Sequence, residues 1–104
     1  MRSRFHRAAL LLVAPVLPCL AQAETHTVRI EDMQFVPATI TVKAGDRIVW
    51  ENADLVPHTA TAPGRFDSGA IAPGQRWSQA APPPGRYGYV CTFHRGMRAT
   101  LVVQ

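Results

Sequence analysis

The chain is interrupted by turn-forming residues at short intervals, and that spacing leaves no convincing helix anywhere in it. Ala44-Gly45-Asp46, Pro63-Gly64, Ser68-Gly69, Pro73-Gly74 and Pro82-Pro83-Pro84-Gly85 each mark a loop. Glycine supplies backbone angles that other residues resist, and proline fixes its own and cannot continue a helix. Between these marks the apolar residues alternate with polar ones. Val28 and Ile30 are interleaved with Thr27, Arg29 and Glu31, Ile40 and Val42 with Thr39, Thr41 and Lys43, and Ile48 and Trp50 follow the first turn. Period-two alternation predicts half-buried strands. Further strands are expected at Gln75 to Gln79 around Trp77, at Arg86 to Cys91 and at Met97 to Val103. Many short strands in so few residues predict an all-β fold, a Greek-key antiparallel β-sandwich.

The first residues do not belong to that fold. Arg2, Arg4 and Arg7 precede the apolar run Ala8 to Leu20 and the small-residue sequence Ala21-Gln22-Ala23. This is the pattern of a secretory signal peptide, which puts residues 1–23 in the leader and one domain at 24–104, with the mature chain starting at Glu24. Pro15 and Pro18 interrupt the apolar run, which is too short to span a bilayer comfortably. Pro18 before Cys19 does not fit a lipid-attachment site, so Cys19 leaves with the leader. The expected product is exported and soluble. The formal charge of +4 belongs mostly to the leader, because removing its three arginines leaves eight basic residues against seven acidic ones. No basic stripe remains for nucleic acid.

Export makes the single remaining cysteine informative. Exported proteins normally pair their cysteines, yet Cys91 has no mature partner. Such a thiol is reactive, joined to another molecule, buried and inert, or held by a metal. Its neighbours favour the last: Cys91-Thr92-Phe93-His94-Arg95-Gly96-Met97 places an imidazole and a thioether within seven residues, and His58 lies upstream beside the rigid Pro57. A thiolate, two imidazoles and a thioether form the ligand set of a mononuclear type 1 copper site. Zinc also accepts Cys and His, but a methionine ligand is unusual for it. Strand parity supports convergence, since Tyr87, Tyr89 and Cys91 share a face, as do Met97, Ala99, Leu101 and Val103. His94 then occupies the loop between those strands. Taken singly, each residue has a plainer role: His58 as an exposed loop histidine, Met97 as core filling, His26 as an exposed strand residue.

At this point the chain resembles the small cupredoxins of the amicyanin-like and plastocyanin-like kind. The likeness runs through Met33-x-Phe35-x-Pro37, Val42-Lys43-Ala44-Gly45-Asp46, Trp50-x-Asn52, Pro57-His58 and the short Cys91-x2-His94-x2-Met97 loop. It implies a Greek-key sandwich, one copper bound by His58, Cys91, His94 and Met97, and single-electron shuttling in the periplasm. It also implies that His94 is the ligand nearest the surface. Leu55, Val56, Pro57 and Phe93 are expected to form an apolar docking patch, with Arg95 and Arg98 facing an acidic region of a redox protein such as a dehydrogenase or c-type cytochrome. A monomer is expected. Two positions depart from the pattern. Thr59 stands where many relatives have Asn, which alters the side-chain brace between loops, and Arg95 stands where amicyanin-like loops have Pro, which implies a looser loop. The alternative function for such a site is copper storage or delivery. An enzyme of the nitrite reductase or multicopper oxidase kind needs further histidine-built centres, which His26 alone cannot supply.

Overall fold

The computed structural model describes residues 8–16 and 22–104. Part of the expected leader, Cys19 included, lies outside the described residues. Among the described residues nine strands follow in order: β1 Thr25–Glu31, β2 Gln34–Val36, β3 Thr39–Val42, β4 Arg47–Asn52, β5 Thr61–Ala62, β6 Phe66–Asp67, β7 Arg76–Ala80, β8 Gly85–Cys91 and β9 His94–Val103. They form two sheets, ordered β2-β1-β4-β7 and β3-β9-β8-β5-β6.

The alternation in the sequence becomes the two inner faces. Val28 and Ile30 of β1, Ile48 and Trp50 of β4, and Tyr89, Cys91, Met97, Leu101 and Val103 of β8 and β9 are all buried in one cluster. Trp50 lies at its centre, with ring centroids 5.2 Å from Trp77, 5.6 Å from Phe66 and 5.7 Å from Tyr89. Tilted and edge-on contacts of this kind add to the burial of the rings themselves. Burial raises the Tyr89 hydroxyl to about 12, opposed only by the Trp50 side chain.

Two features differ from the sequence-based expectation. The sheets are mixed, because β1 pairs with β4 in parallel and β3 with β9 in parallel. A Greek-key chain that crosses between sheets before returning brings such strands together side by side, whereas alternation within each strand carries no information on its partner's direction. His94 also lies in β9, since only Thr92 and Phe93 form the turn and Cys91 pairs with His94.

At the pole where β1 and β4 begin, Asp46 ties three segments together. Its carboxylate accepts hydrogen bonds from the amides of Lys43 (2.9 Å) and Glu24 (3.0 Å) and meets His26 Nε2 at 2.8 Å. His26 is therefore a partly buried member of a polar cluster rather than a simple exposed strand residue. The Lys43 and Glu24 amides and the His26 ring together hold the Asp46 carboxyl at about 2, against an ordinary 3.8. The folded value lies below the unfolded one, so this stabilisation is complete above about 3.8 and is lost as the pH falls through about 2. Urea midpoints measured across that acid range are expected to fall for the wild type. Asp46→Asn should start lower and show a shallower fall.

Candidate metal centre

The site is assembled from two loops at the opposite pole. Cys91 ends β8 with its side chain on the inner face and is 0% exposed. Along the β8–β9 ladder Tyr89 pairs with Ala99 and Val90 with Arg98, and then the register jumps so that Cys91 pairs with His94. An unbroken ladder would have set Met97 opposite Cys91. The bulge instead inserts three residues, returning His94 to Cys91 while Met97 stays buried on the inner face.

His58 arrives from the β4–β5 connection, where its backbone is fixed by a bridge to Ile71: the His58 amide donates to the Ile71 carbonyl at 3.1 Å, and the His58 carbonyl accepts from the Ile71 amide at 2.7 Å. Asn52, buried at the end of β4, organises the same loop. Its side-chain amide donates to the carbonyls of Val56 and Ile71, both at 2.9 Å, and its oxygen accepts from the Asp54 amide at 2.9 Å. Every polar atom of this buried side chain is thereby satisfied.

These constraints bring Cys91 Sγ and one ring nitrogen from each of His58 and His94 within 4.8 Å of one another. The sulfur lies 3.6 Å from His58 Nδ1 and 3.8 Å from His94 Nδ1. A metal with bonds of about 2.3 Å to sulfur and 2.0 Å to nitrogen, set at about 120°, requires a sulfur–nitrogen separation of about 3.7 Å. The donor set and its spacing therefore fit one trigonal metal ion. Met97, three residues past His94 and 5% exposed, belongs to the same buried cluster as Cys91.

Surrounding groups hold the donors in place. The Thr59 amide donates to Cys91 Sγ at 3.3 Å. The Thr59 hydroxyl accepts the Thr92 amide at 2.9 Å and lies 3.1 Å from the Thr92 hydroxyl. Thr59 thus braces the two ligand loops with both backbone and side chain. The other nitrogen of His58, Nε2, meets Asp54 Oδ2 at 2.7 Å. Asp54 is in turn fixed by the amides of Asp32 (2.8 Å) and Met33 (3.0 Å), the left-handed pair that turns β1 into β2. Burial pushes the Asp54 carboxyl up, but the Met33 amide, the His58 ring and the Asp32 amide outweigh it and leave it below its ordinary value.

Asp54, Asn52 and Thr92 were absent from the sequence-based site. The available signal was a carboxylate four residues before His58, which is weak without knowledge of the loop's path. Phe93, expected in an apolar docking patch, occupies the hairpin tip and is 55% exposed.

Fold and donors together define a small β-sandwich built around one thiolate–imidazole metal centre. The chain belongs to the cupredoxin-like family, whose domain model matches residues 6–103. It is 30% identical to amicyanin-alpha of Methylorubrum extorquens over 90 residues, covering 81% of this chain and 76% of that protein. It is 33% identical to a chloroplastic plastocyanin of Tetradesmus obliquus over 88 residues, covering 67% of this chain and 58% of that one. A solved Cu(I) form of an amicyanin variant superposes with a TM-score of 0.72 at 27% identity, covering 82% of this chain and 86% of the other.

Proposed function

We propose that this protein is an exported one-electron carrier whose type 1 copper is held by His58, Cys91 and His94, with Met97 as axial neighbour. The observation that carries the reading is the convergence of one sulfur and two imidazole nitrogens at trigonal-metal spacing. Copper in such a site supplies a one-electron Cu(II)/Cu(I) couple. The chain's part is to keep its donors still. The Thr59 amide fixes the thiolate, Asp54 fixes the His58 ring and the Ile71 bridge fixes its backbone. Donors held this way need little rearrangement between oxidation states, and the same rigidity favours retention of the metal over delivery.

His94 is the partly exposed ligand, and it is the exit for the electron. Leu55 (94% exposed), Phe93 (55%) and Val56 (41%) offer apolar side chains on the ligand loops. Arg95 and Arg98 are exposed and, among the described residues, form no ion pair. An acidic redox protein, such as a dehydrogenase or c-type cytochrome, fits this surface. Its on-rate is expected to fall with salt. The leader reading is supported by Leu10, Leu11, Leu12, Val13 and Val16, each more than 80% exposed and outside the core. No described helix is long and apolar enough to cross a membrane.

The test is a visible spectrum of the protein beginning at Glu24 after addition of Cu(II). An intense blue band that bleaches with ascorbate and returns on reoxidation is the expected result. A colourless complex would overturn the reading.

A further inference from the structure

The pole where β1 and β4 begin carries a second convergence of donors. Ligand atoms of Glu24, His26 and Asp46 all lie within 4.8 Å of one another. His26 Nε2 is 2.8 Å from Asp46 Oδ2 and 3.9 Å from Glu24 Oε2. Asp46 is 5% exposed and its carboxylate is anchored by the Lys43 amide, so it cannot swing away without breaking the turn before β4. An ion-pair clip needs only Asp46 and His26. Here two carboxylates converge on one ring nitrogen that can carry one proton, an arrangement a divalent cation satisfies better.

We propose that Glu24, His26 and Asp46 form a second, sulfur-free metal site that holds Cu(II) and releases it when an external one-electron reductant such as ascorbate converts it to Cu(I). Imidazole and carboxylate donors suit Cu(II), which heads the divalent affinity order, whereas Cu(I) prefers thiolate and thioether. The site gains a fourth donor if the chain is cut after Ala23, a point that rests on the leader reading. The nitrogen of Glu24, 3.0 Å from Asp46 Oδ1, then becomes a free α-amine already directed at the cluster. The two centres are independent. β1 and β4 run in parallel register from Thr25–Arg47 to Ile30–Asn52, which separates this pole from the ligand loops by roughly 17 Å at the usual rise of a strand.

Electron paramagnetic resonance on the Glu24-first protein, titrated with one and then two equivalents of Cu(II), tests the site. The first equivalent is expected at Cys91. The second should give a saturable, non-blue signal with nitrogen coupling, and ascorbate should free that copper to a Cu(I) chelator. His26→Gln preserves a hydrogen bond to Asp46 and so should fold. It should weaken the second site at least roughly tenfold, on the scale set by loss of groups that support a bound metal, and leave the blue band intact. Glu24→Gln should weaken it in the same direction. A second equivalent that does not saturate, or binds His26→Gln equally well, would overturn the proposal. So would a complex that survives both Glu24→Gln and Asp46→Asn, because it would then use backbone amides and pull β1 off β4. A protein retaining Ala23 should bind the second copper more weakly, and equal binding would remove the amine from the site. The blue band judges the carrier reading and the mass of the exported chain judges the cleavage, so neither failure can be mistaken for failure of this site.

Discussion

Cys91→Ser is expected to abolish the blue band completely while leaving the sandwich folded. The intense absorption of a type 1 centre depends on the copper–thiolate bond, and serine supplies no thiolate at neutral pH. Fold should survive because the replacement is nearly isosteric and the serine oxygen can accept the Thr59 amide that now donates to sulfur. The apo protein should therefore lose no more than about 1 kcal/mol, the usual size of a point substitution. Two measurements check this: the visible spectrum with Cu(II) and the urea midpoint of the metal-free protein. A variant that keeps an intense ascorbate-bleachable band would show that the chromophore is not at Cys91. A variant that fails to fold would mean that the thiol is needed for packing rather than for the metal alone.

How much of this could be read from the sequence depended on whether the signal was local. Val28 and Ile30, Ile48 and Trp50, and Met97 through Val103 announced their burial because alternation is a property of one strand. The convergence of Cys91 and Met97 followed from the same parity. β5 and β6 went unread because two-residue strands have no period. The parallel pairing of β1 with β4 is set by a crossover that no single segment encodes. His94 fell in a strand because the β8–β9 register jumps at Cys91, and a bulge is invisible in a motif that fixes only spacing. Thr59 was read as a departure that alters the brace between loops, and it sends its amide to the thiolate. Its hydroxyl contact with Thr92 replaces an asparagine brace by a route that depends on how closely the two loops approach. His26 looked like an exposed strand residue until the turn before β4 delivered Asp46 to it.

Asp54 is the residue whose replacement should separate charge from geometry at the copper centre. Its carboxylate accepts from His58 Nε2, leaving Nδ1 with a free lone pair facing Cys91. A buried imidazole with a carboxylate partner is fixed in tautomer and orientation and is made a stronger donor. Asp54→Asn can retain the hydrogen bond through its side-chain oxygen but removes the negative charge. Because a nearby anion favours Cu(II) over Cu(I), the reduction potential should rise. Each tenfold change in relative affinity for the two oxidation states corresponds to about 59 mV. Asp54→Leu removes the acceptor as well. The His58 N–H, on a side chain with 0% exposure, is then stranded, at a cost of about 1–3 kcal/mol to folding. Copper affinity should fall about 10- to 100-fold. Cyclic voltammetry, a competitive copper titration and nitrogen NMR of the apo His58 ring together test the account. The expected order is a raised potential with the native tautomer in Asp54→Asn, and a mixed tautomer with weakened binding in Asp54→Leu. Equal potentials in the wild type and Asp54→Asn would show that the carboxylate acts only as a structural tie to the Asp32–Met33 turn.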